Sequence, residues 1–534
     1  MLTRPRRFVV ALTLVLAGPL VAAPVAAAAE QPTVPKLSWQ PCGEDYPGFD
    51  CATARVPLDY DEPGGPTTSV ALARKAATDP AKRIGSVFLN PGGPGGSGVE
   101  FALGAGNRLS QALEGRFDIV GFDPRGVGAS DPLHCFDSQE ELGAFFNGVP
   151  SFPYKREQER PYFDKYRSLA RECLTRDGTI ARHMSTADVV RDLDLLRRAV
   201  GDRKLNYLGF SYGSHIGNTY ANMFPKNVRA LVIDGVLDPR LWSSGWQIVN
   251  DRVATGQEFK EFLRLCDEAG PNCAFATEQG SAKRFEALAR AVLAKPVDLG
   301  DGRLYTYEHL IGDANSSLYT PEWWPDYAAA FDFIADLAEG GKAGDGPSAA
   351  ASRVLDKRRA PAPTRDADYP NGFDAYNGNV CADAEFPRSF RTFQAVGRYA
   401  EAAGRLAPYW WWGGAACADW PTNQDRYGGP WSTKTSAPVL VVGNYFDGVT
   451  SYTGAQASAR LLKGSRLLSY AGWGHTAYER SDCVTGHVNR YLLTGALPPA
   501  KTVCPANPSP FLPGVAATTD APFAGLPGTW PGIR

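Results

Sequence analysis

Short apolar runs of strand length recur along this chain, at 84–89, 117–122, 204–208 and 228–235, and again at 437–443 and 465–470, with an earlier strand-like run at 69–76. They end in Gly/Pro loops and alternate with helical patterns, as parallel βαβ construction requires. The clearest helix precedes the 204–208 run. Val190, Leu193, Arg197 and Val200 share one stripe with Leu196 beside it; Ser185 or Thr186 can cap it and Gly201 can stop it. A second helix is predicted at 214–224. Between about 240 and 430 the strand rhythm gives way to helical patterns, as at 256–269 and 281–293, and nine of the twelve tryptophans lie between Trp242 and Trp431. The pattern predicts an α/β fold with a mostly parallel central sheet, carried by residues 30–239 and 431–534, and a helical cap inserted at 240–430. The tryptophans read first as packing within that cap, and a cap closing over a cleft can use some of them for both purposes. Residues 37–56 read as a lead-in, 339–363 as a surface loop and 497–534 as an extended Pro/Gly-rich strap.

The composition is globular: 534 residues, 44% hydrophobic and 21% charged, with a formal net charge of −2. That balance gives no support for a nucleic-acid or anionic-membrane partner, and a monomer is the expectation. At the start, Arg4, Arg6 and Arg7 precede an apolar run at 8–16 and an Ala-rich stretch with A-x-A sites near Glu30. This is the layout of a signal peptide over 1–29. A membrane anchor is the alternative, but Gly18, Pro19 and Pro24 interrupt the apolar stretch, and no later segment is long enough to span a bilayer. A secreted, extracellular protein is therefore expected. An even number of cysteines, ten, fits disulfides in such a compartment. Sequence does not fix their connectivity. Cys42/Cys51 and Cys266/Cys273 are the close pairs, and Cys135/Cys173, Cys381/Cys417 and Cys483/Cys504 follow if neighbours pair in order. No C-x-x-C occurs and no histidine stands at zinc-site spacing, so no metal is expected.

Gly209-Phe210-Ser211-Tyr212-Gly213 has the G-x-S-x-G form of a nucleophile elbow, with a strand before it and a helix after it. A serine hydroxyl needs a base, and the base needs an orienting group. Of six histidines, His475 has the required setting, in the Gly-rich loop Gly472-Trp473-Gly474-His475 after a late strand. His215 follows Ser211 on the same helix and would point along it. Hydrolases with this elbow run in the order Ser, acid, His, which His475 satisfies. Asp447, after the strongest late strand, is the favoured acid; Asp234 and Asp238 are the rivals. The oxyanion donors are expected to be the amides of Tyr212 and of Gly93, the latter in Asn90-Pro91-Gly92-Gly93-Pro94 directly after an early strand. This chemistry requires no cofactor.

Asn90-Pro91-Gly92-Gly93-Pro94-Gly95-Gly96-Ser97-Gly98, Asp123-Pro124-Arg125-Gly126, the elbow and the late Asp447 and His475 together resemble the α/β-hydrolase serine peptidases. Within these the chain is most similar to the secreted tripeptidyl aminopeptidases, relatives of prolyl aminopeptidase, over about residues 37–500. The resemblance implies an α/β-hydrolase fold, peptide substrates with free N-termini, and release of di- or tripeptides. The chain departs from that pattern after the acid: relatives commonly have D-P-x-T-P, and here the segment is Asp447-Gly448-Val449-Thr450-Ser451. A carboxylate for the substrate ammonium should lie in the cap, with Asp383, Glu385, Glu322 and Asp326 as candidates and none assigned. An esterase with the same triad and a non-catalytic binding protein on the same scaffold are the competing functions.

Overall fold

The computed structural model describes residues 31–341, 346–356, 369–421 and 425–514. The expected signal peptide, the last twenty residues of the strap and parts of the 339–363 segment lie outside these. The strands are β1 (Gln40–Pro41), β2 (Asp50–Pro57), β3 (Thr67–Lys75), β4 (Gly85–Asn90), β5 (Phe117–Phe122), β6 (Leu205–Phe210) and β7 (Val228–Asp234), then the small hairpin β8 (Val297–Asp298) and β9 (Leu304–Tyr305), and finally β10 (Val439–Phe446), β11 (Arg466–Trp473) and β12 (Val503–Cys504). All but the hairpin join one sheet in the order β1-β2-β3-β5-β4-β6-β7-β10-β11-β12. The β1/β2, β2/β3 and β3/β5 pairs are antiparallel, and every pairing from β5 to β12 is parallel. The lead-in is thus more ordered than its sequence suggests, since it supplies β1 and β2. Strands β4, β5 and β6 are buried along their whole length, which is why they read as short continuous apolar runs.

Helices α1 (Gly98–Ala112), α2 (Gln139–Phe145), α3 (Arg156–Ala181), α4 (Thr186–Ala199) and α5 (Tyr212–Met223) connect the strands up to β7. Ser185 caps α4 by accepting from Asp188 N, and the chain turns at Gly201 with φ 83°. Between β7 and β10 come α6 (Pro239–Ser243), α7 (Gln247–Ala269), α8 (Ser281–Ala294), α9 (Tyr307–Ser317), α10 (Trp324–Ala338), α11 (Ala349–Leu355), α12 (Gly372–Asp383), α13 (Phe390–Glu401) and α14 (Pro408–Trp411). Helices α15 (Tyr452–Leu461) and α16 (Asp482–Thr494) complete the set. Helix α11 lies inside the segment expected to be loop; its Ala351, Val354 and Leu355 are buried, so tertiary packing overrides the Gly/Pro-rich surroundings.

The helical segment has a core of its own around Phe259, Phe262, Phe285, Trp324 and Phe331. Its later part does not. Trp411, Trp412 and Trp420 belong to the same buried cluster as the sheet and α3, where Phe163 meets Phe393. Most of the tryptophans are therefore packing, as read from sequence, while Trp246 stays exposed. Among the described residues, no helix is long and apolar enough to cross a membrane. The ten cysteines pair as Cys42–Cys51, Cys135–Cys173, Cys266–Cys273, Cys381–Cys417 and Cys483–Cys504.

Candidate active site

Ser211 occupies the turn between β6 and α5 with φ 56° and ψ −123°. This backbone conformation costs a non-glycine residue about 1–3 kcal/mol and persists only where the surroundings impose it. They do. Ser211 N donates to Asp234 O on the adjacent strand at 2.9 Å. A Cβ at position 209 would lie 2.4 Å from the Tyr207 ring and 2.5 Å from Gly213 O, and one at position 213 would lie 2.7 Å from Asn90 O. The two flanking glycines are thus required by close approach of strand, turn and helix.

The loop after β4 presses directly on this turn. A Cβ at Gly92 would sit 2.5 Å from Phe210 O and 2.7 Å from Ser211 Cβ, and Gly92 has φ 99°. Its amide already donates to Asn90 Oδ1 at 3.0 Å. Gly93 follows in the same loop, and Tyr212 N lies in the first turn of α5, where helix amides lack intrahelical acceptors. The Tyr212 side chain is buried, and its hydroxyl lies 2.5 Å from Thr186 Oγ1. The Asp123-Pro124-Arg125-Gly126 motif buttresses the same loop. Asp123 accepts from Ser97 Oγ and Val99 N at the start of α1, while fully buried Arg125 makes a bidentate pair with Asp192.

Asp447 and His475 lie at the ends of β10 and β11, both almost fully buried. His475 Nδ1 is 3.0 Å from Asp447 Oδ2 and 3.2 Å from Oδ1. Nε2 is buried without a hydrogen-bond partner. The ring passes beside Gly235, where a Cβ would be 2.9 Å from His475 Cε1; Gly235 follows the residue whose carbonyl holds Ser211 N. The Tyr319 and His475 rings also meet in a T-shaped contact, with centroids 5.4 Å apart at 81°.

The rival acids are occupied elsewhere. Asp234 accepts from Ala477 N and Tyr478 N, so it anchors the backbone after His475. Asp238 caps α6 and pairs with Arg240. His215 is a core histidine packed among Tyr212, Trp242 and Trp431, and burial drives its proton affinity down to a pKa of about 3. His487 lies beside Cys483 and Cys504, but those sulfurs are joined to each other.

Three groups near the pair were not singled out from the sequence. Thr450 Oγ1 donates to Asp447 Oδ2 at 2.9 Å, and the amides of Val449 and Thr450 donate to Oδ1. Asn444 Nδ2 donates to the carbonyls of Gly474 and Thr476, fixing the histidine loop. Glu258, on α7, accepts from Gly448 N and Gly474 N. The first of these bonds depends on the departure noted after the acid, because a proline at 448 has no amide hydrogen to donate. The signal for Thr450 and Asn444 was present, since both flank Asp447; for Glu258 there was none.

Each of the four acidic residues considered for the substrate ammonium already has a partner. Asp383 accepts from Thr186 N and Trp242 Nε1, and burial raises its pKa to about 6. Glu322 pairs with Arg480, Asp326 with Arg353, and Glu385 with Arg426.

Taken together, the site offers a strained serine at the end of a parallel strand, a Gly-rich loop packed against its turn, and a buried histidine–carboxylate pair next to its backbone anchor. The family described as α/β hydrolase fold matches residues 85–264, and that described as TAP-like protein matches 403–504. The chain is 30% identical over 496 residues to the serine protease Hip1 of Mycobacterium tuberculosis, covering 88% of this chain and 91% of that one. It is 30% identical over 501 residues to the tripeptidyl aminopeptidase of Streptomyces lividans (89% and 87%). It is 32% identical over 516 residues to carboxylesterase B of Mycobacterium tuberculosis (92% and 96%).

Proposed function

Since this chain belongs to the α/β-hydrolase tripeptidyl aminopeptidase family and is a serine peptidase, we propose that it is an exported exopeptidase releasing di- or tripeptides from free peptide N-termini through an acyl-enzyme. Ser211 Oγ attacks the scissile carbonyl while His475 Nε2 takes its proton. Asp447 holds Nδ1–H, which selects the tautomer with a free Nε2 and stabilises the imidazolium. The Gly93 and Tyr212 amides receive the oxyanion. The imidazolium then protonates the departing amine, and water, activated by the same histidine, hydrolyses the ester. Residues 240–430 act as the cap that limits cleft depth.

The observation that carries this reading is the 3.0 Å contact of His475 with Asp447 beside the Ser211 turn. Five disulfides support export to an oxidising compartment. A substrate panel tests it: chromogenic tripeptide amides with free and with acylated N-termini, alongside short- and long-chain esters. Cleavage confined to the free-amine peptides is the expected result. Preference for esters would instead favour an esterase or other small-molecule acyl hydrolase, and the 32% identical relative is named a carboxylesterase. Inertness towards the panel together with no labelling of Ser211 by a fluorophosphonate would leave only a binding protein.

A further inference from the structure

Helix α7 presents Asp251, Thr255 and Glu258 along one face, at the i, i+4, i+7 spacing that normally carries apolar core residues. All three are buried. Asp251 Oδ1 accepts from Ser451 N at 3.3 Å, and Thr255 Oγ1 donates to Gly448 O at 2.7 Å. Glu258, with no exposed surface, accepts from Gly448 N through Oε2 at 2.6 Å and from Gly474 N through Oε1 at 2.7 Å. Gly448 directly follows Asp447, and Gly474 directly precedes His475.

One side chain thus spans the backbone on either side of the acid–histidine pair. We propose that Glu258 is a positioning residue whose two carboxylate oxygens fix the spacing of the Asp447 and His475 loops, making the seating of α7 a condition of productive geometry. Both oxygens are engaged and fully enclosed, so Glu258 is neither a substrate ligand nor a proton carrier. A buried carboxylate is costly unless it is hydrogen-bonded, and a structure that needed only packing would place an apolar residue there. Burial and nearby Asp447 push its pKa up, while the two amides and Arg480 oppose that rise. Gly448 suits the arrangement, because a Cβ there would lie 2.7 Å from Glu258 Oε2.

The inference rests on reading Asp447 and His475 as acid and base, and the experiment separates the two. Glu258→Gln keeps the volume but offers one acceptor and an NH2 group facing the second amide. It should lower kcat by about tenfold or more, with KM within about threefold and the melting temperature nearly unchanged, as misplacement of catalytic groups does. Thr255→Val, which removes one hydroxyl, should lower kcat by about two- to fivefold at unchanged KM and decides the matter if Glu258→Gln does not fold. Wild-type kcat in a folded Glu258→Gln, or in Thr255→Val where the glutamine variant does not fold, overturns the proposal. So does a kcat loss that vanishes once rates are normalised to the fraction labelled by a fluorophosphonate. A wild-type protein that takes up no fluorophosphonate would instead overturn the acid–base reading itself.

Discussion

Ser211 is shaped by Asn90, Gly92, Tyr207 and Asp234, which lie on β4, β6 and β7 or in the loop that follows β4. The Asp447–His475 pair sits on the same sheet, yet the loops that carry it are bonded to Asp251, Thr255 and Glu258, and His475 N donates to Tyr319 O, all four residues contributed by the helical segment between β7 and β10. On the proposed reading, the nucleophile is therefore a property of the sheet, while the geometry of its base depends on the helical segment between β7 and β10. A sheet end can force one residue into a strained turn through crowding alone. Holding two loops from different strands at hydrogen-bonding distance needs something laid across them.

Substitutions on the two sides separate these contributions. The largest effect belongs to Asp447→Asn, which should lower kcat by roughly 10⁴-fold in a folded protein, as loss of the orienting carboxylate does elsewhere; near-normal turnover would move the acid to another residue. On the serine side, Gly92→Ala should cost about 10²–10³-fold in kcat, since the added methyl must displace Ser211 or Phe210 and spoil the oxyanion donors. A melting curve close to wild type would show that the loss is local. Asp234→Asn separates anchoring from catalysis. Its amide oxygen can still accept from Ala477 N and Tyr478 N, so kcat should stay within about tenfold of wild type.

The smallest effect is thermodynamic and belongs to the helical segment between β7 and β10. Burial first of all raises Asp251 and Asp383 to about 6 and Asp374 to about 7, from an ordinary 3.8. Folded pKa values above the unfolded ones mean that the folded state holds these protons more tightly. The contribution to stability is therefore complete below about pH 4 and is lost as pH rises through 6 to 7. The melting temperature should fall by about a few degrees between pH 5 and 8, and Asp374→Asn should flatten that slope. A slope unchanged in Asp374→Asn would place the sensitivity elsewhere.

The same contrast explains what was legible in the sequence. The elbow, the Gly92-Gly93 loop and the strand-length runs are local patterns, each dictated by residues a few positions apart. Asp447 and His475 are readable from their place after late strands, and the structure brings these two side chains within 3.0 Å while Asp234 accepts from the amides of Ala477 and Tyr478. Glu258 could not be found this way. It contacts residues 190 and 216 positions away, and on an amphipathic helix a glutamate reads as solvated surface. Helix α11 escaped for the opposite reason: its burial comes from neighbours, and its own stretch looks like loop.

The two margins of the sheet share a design with a bearing on survival. Each ends in a strand of only two residues, β1 and β12. Cys42, just past β1, is bonded to Cys51 of β2, and Cys504 of β12 is bonded to Cys483 of α16. A foreign chain seeking a template for cross-β growth finds almost no free register at either side. Reduction of those two bonds would release both borders at once and open each to pairing with another chain.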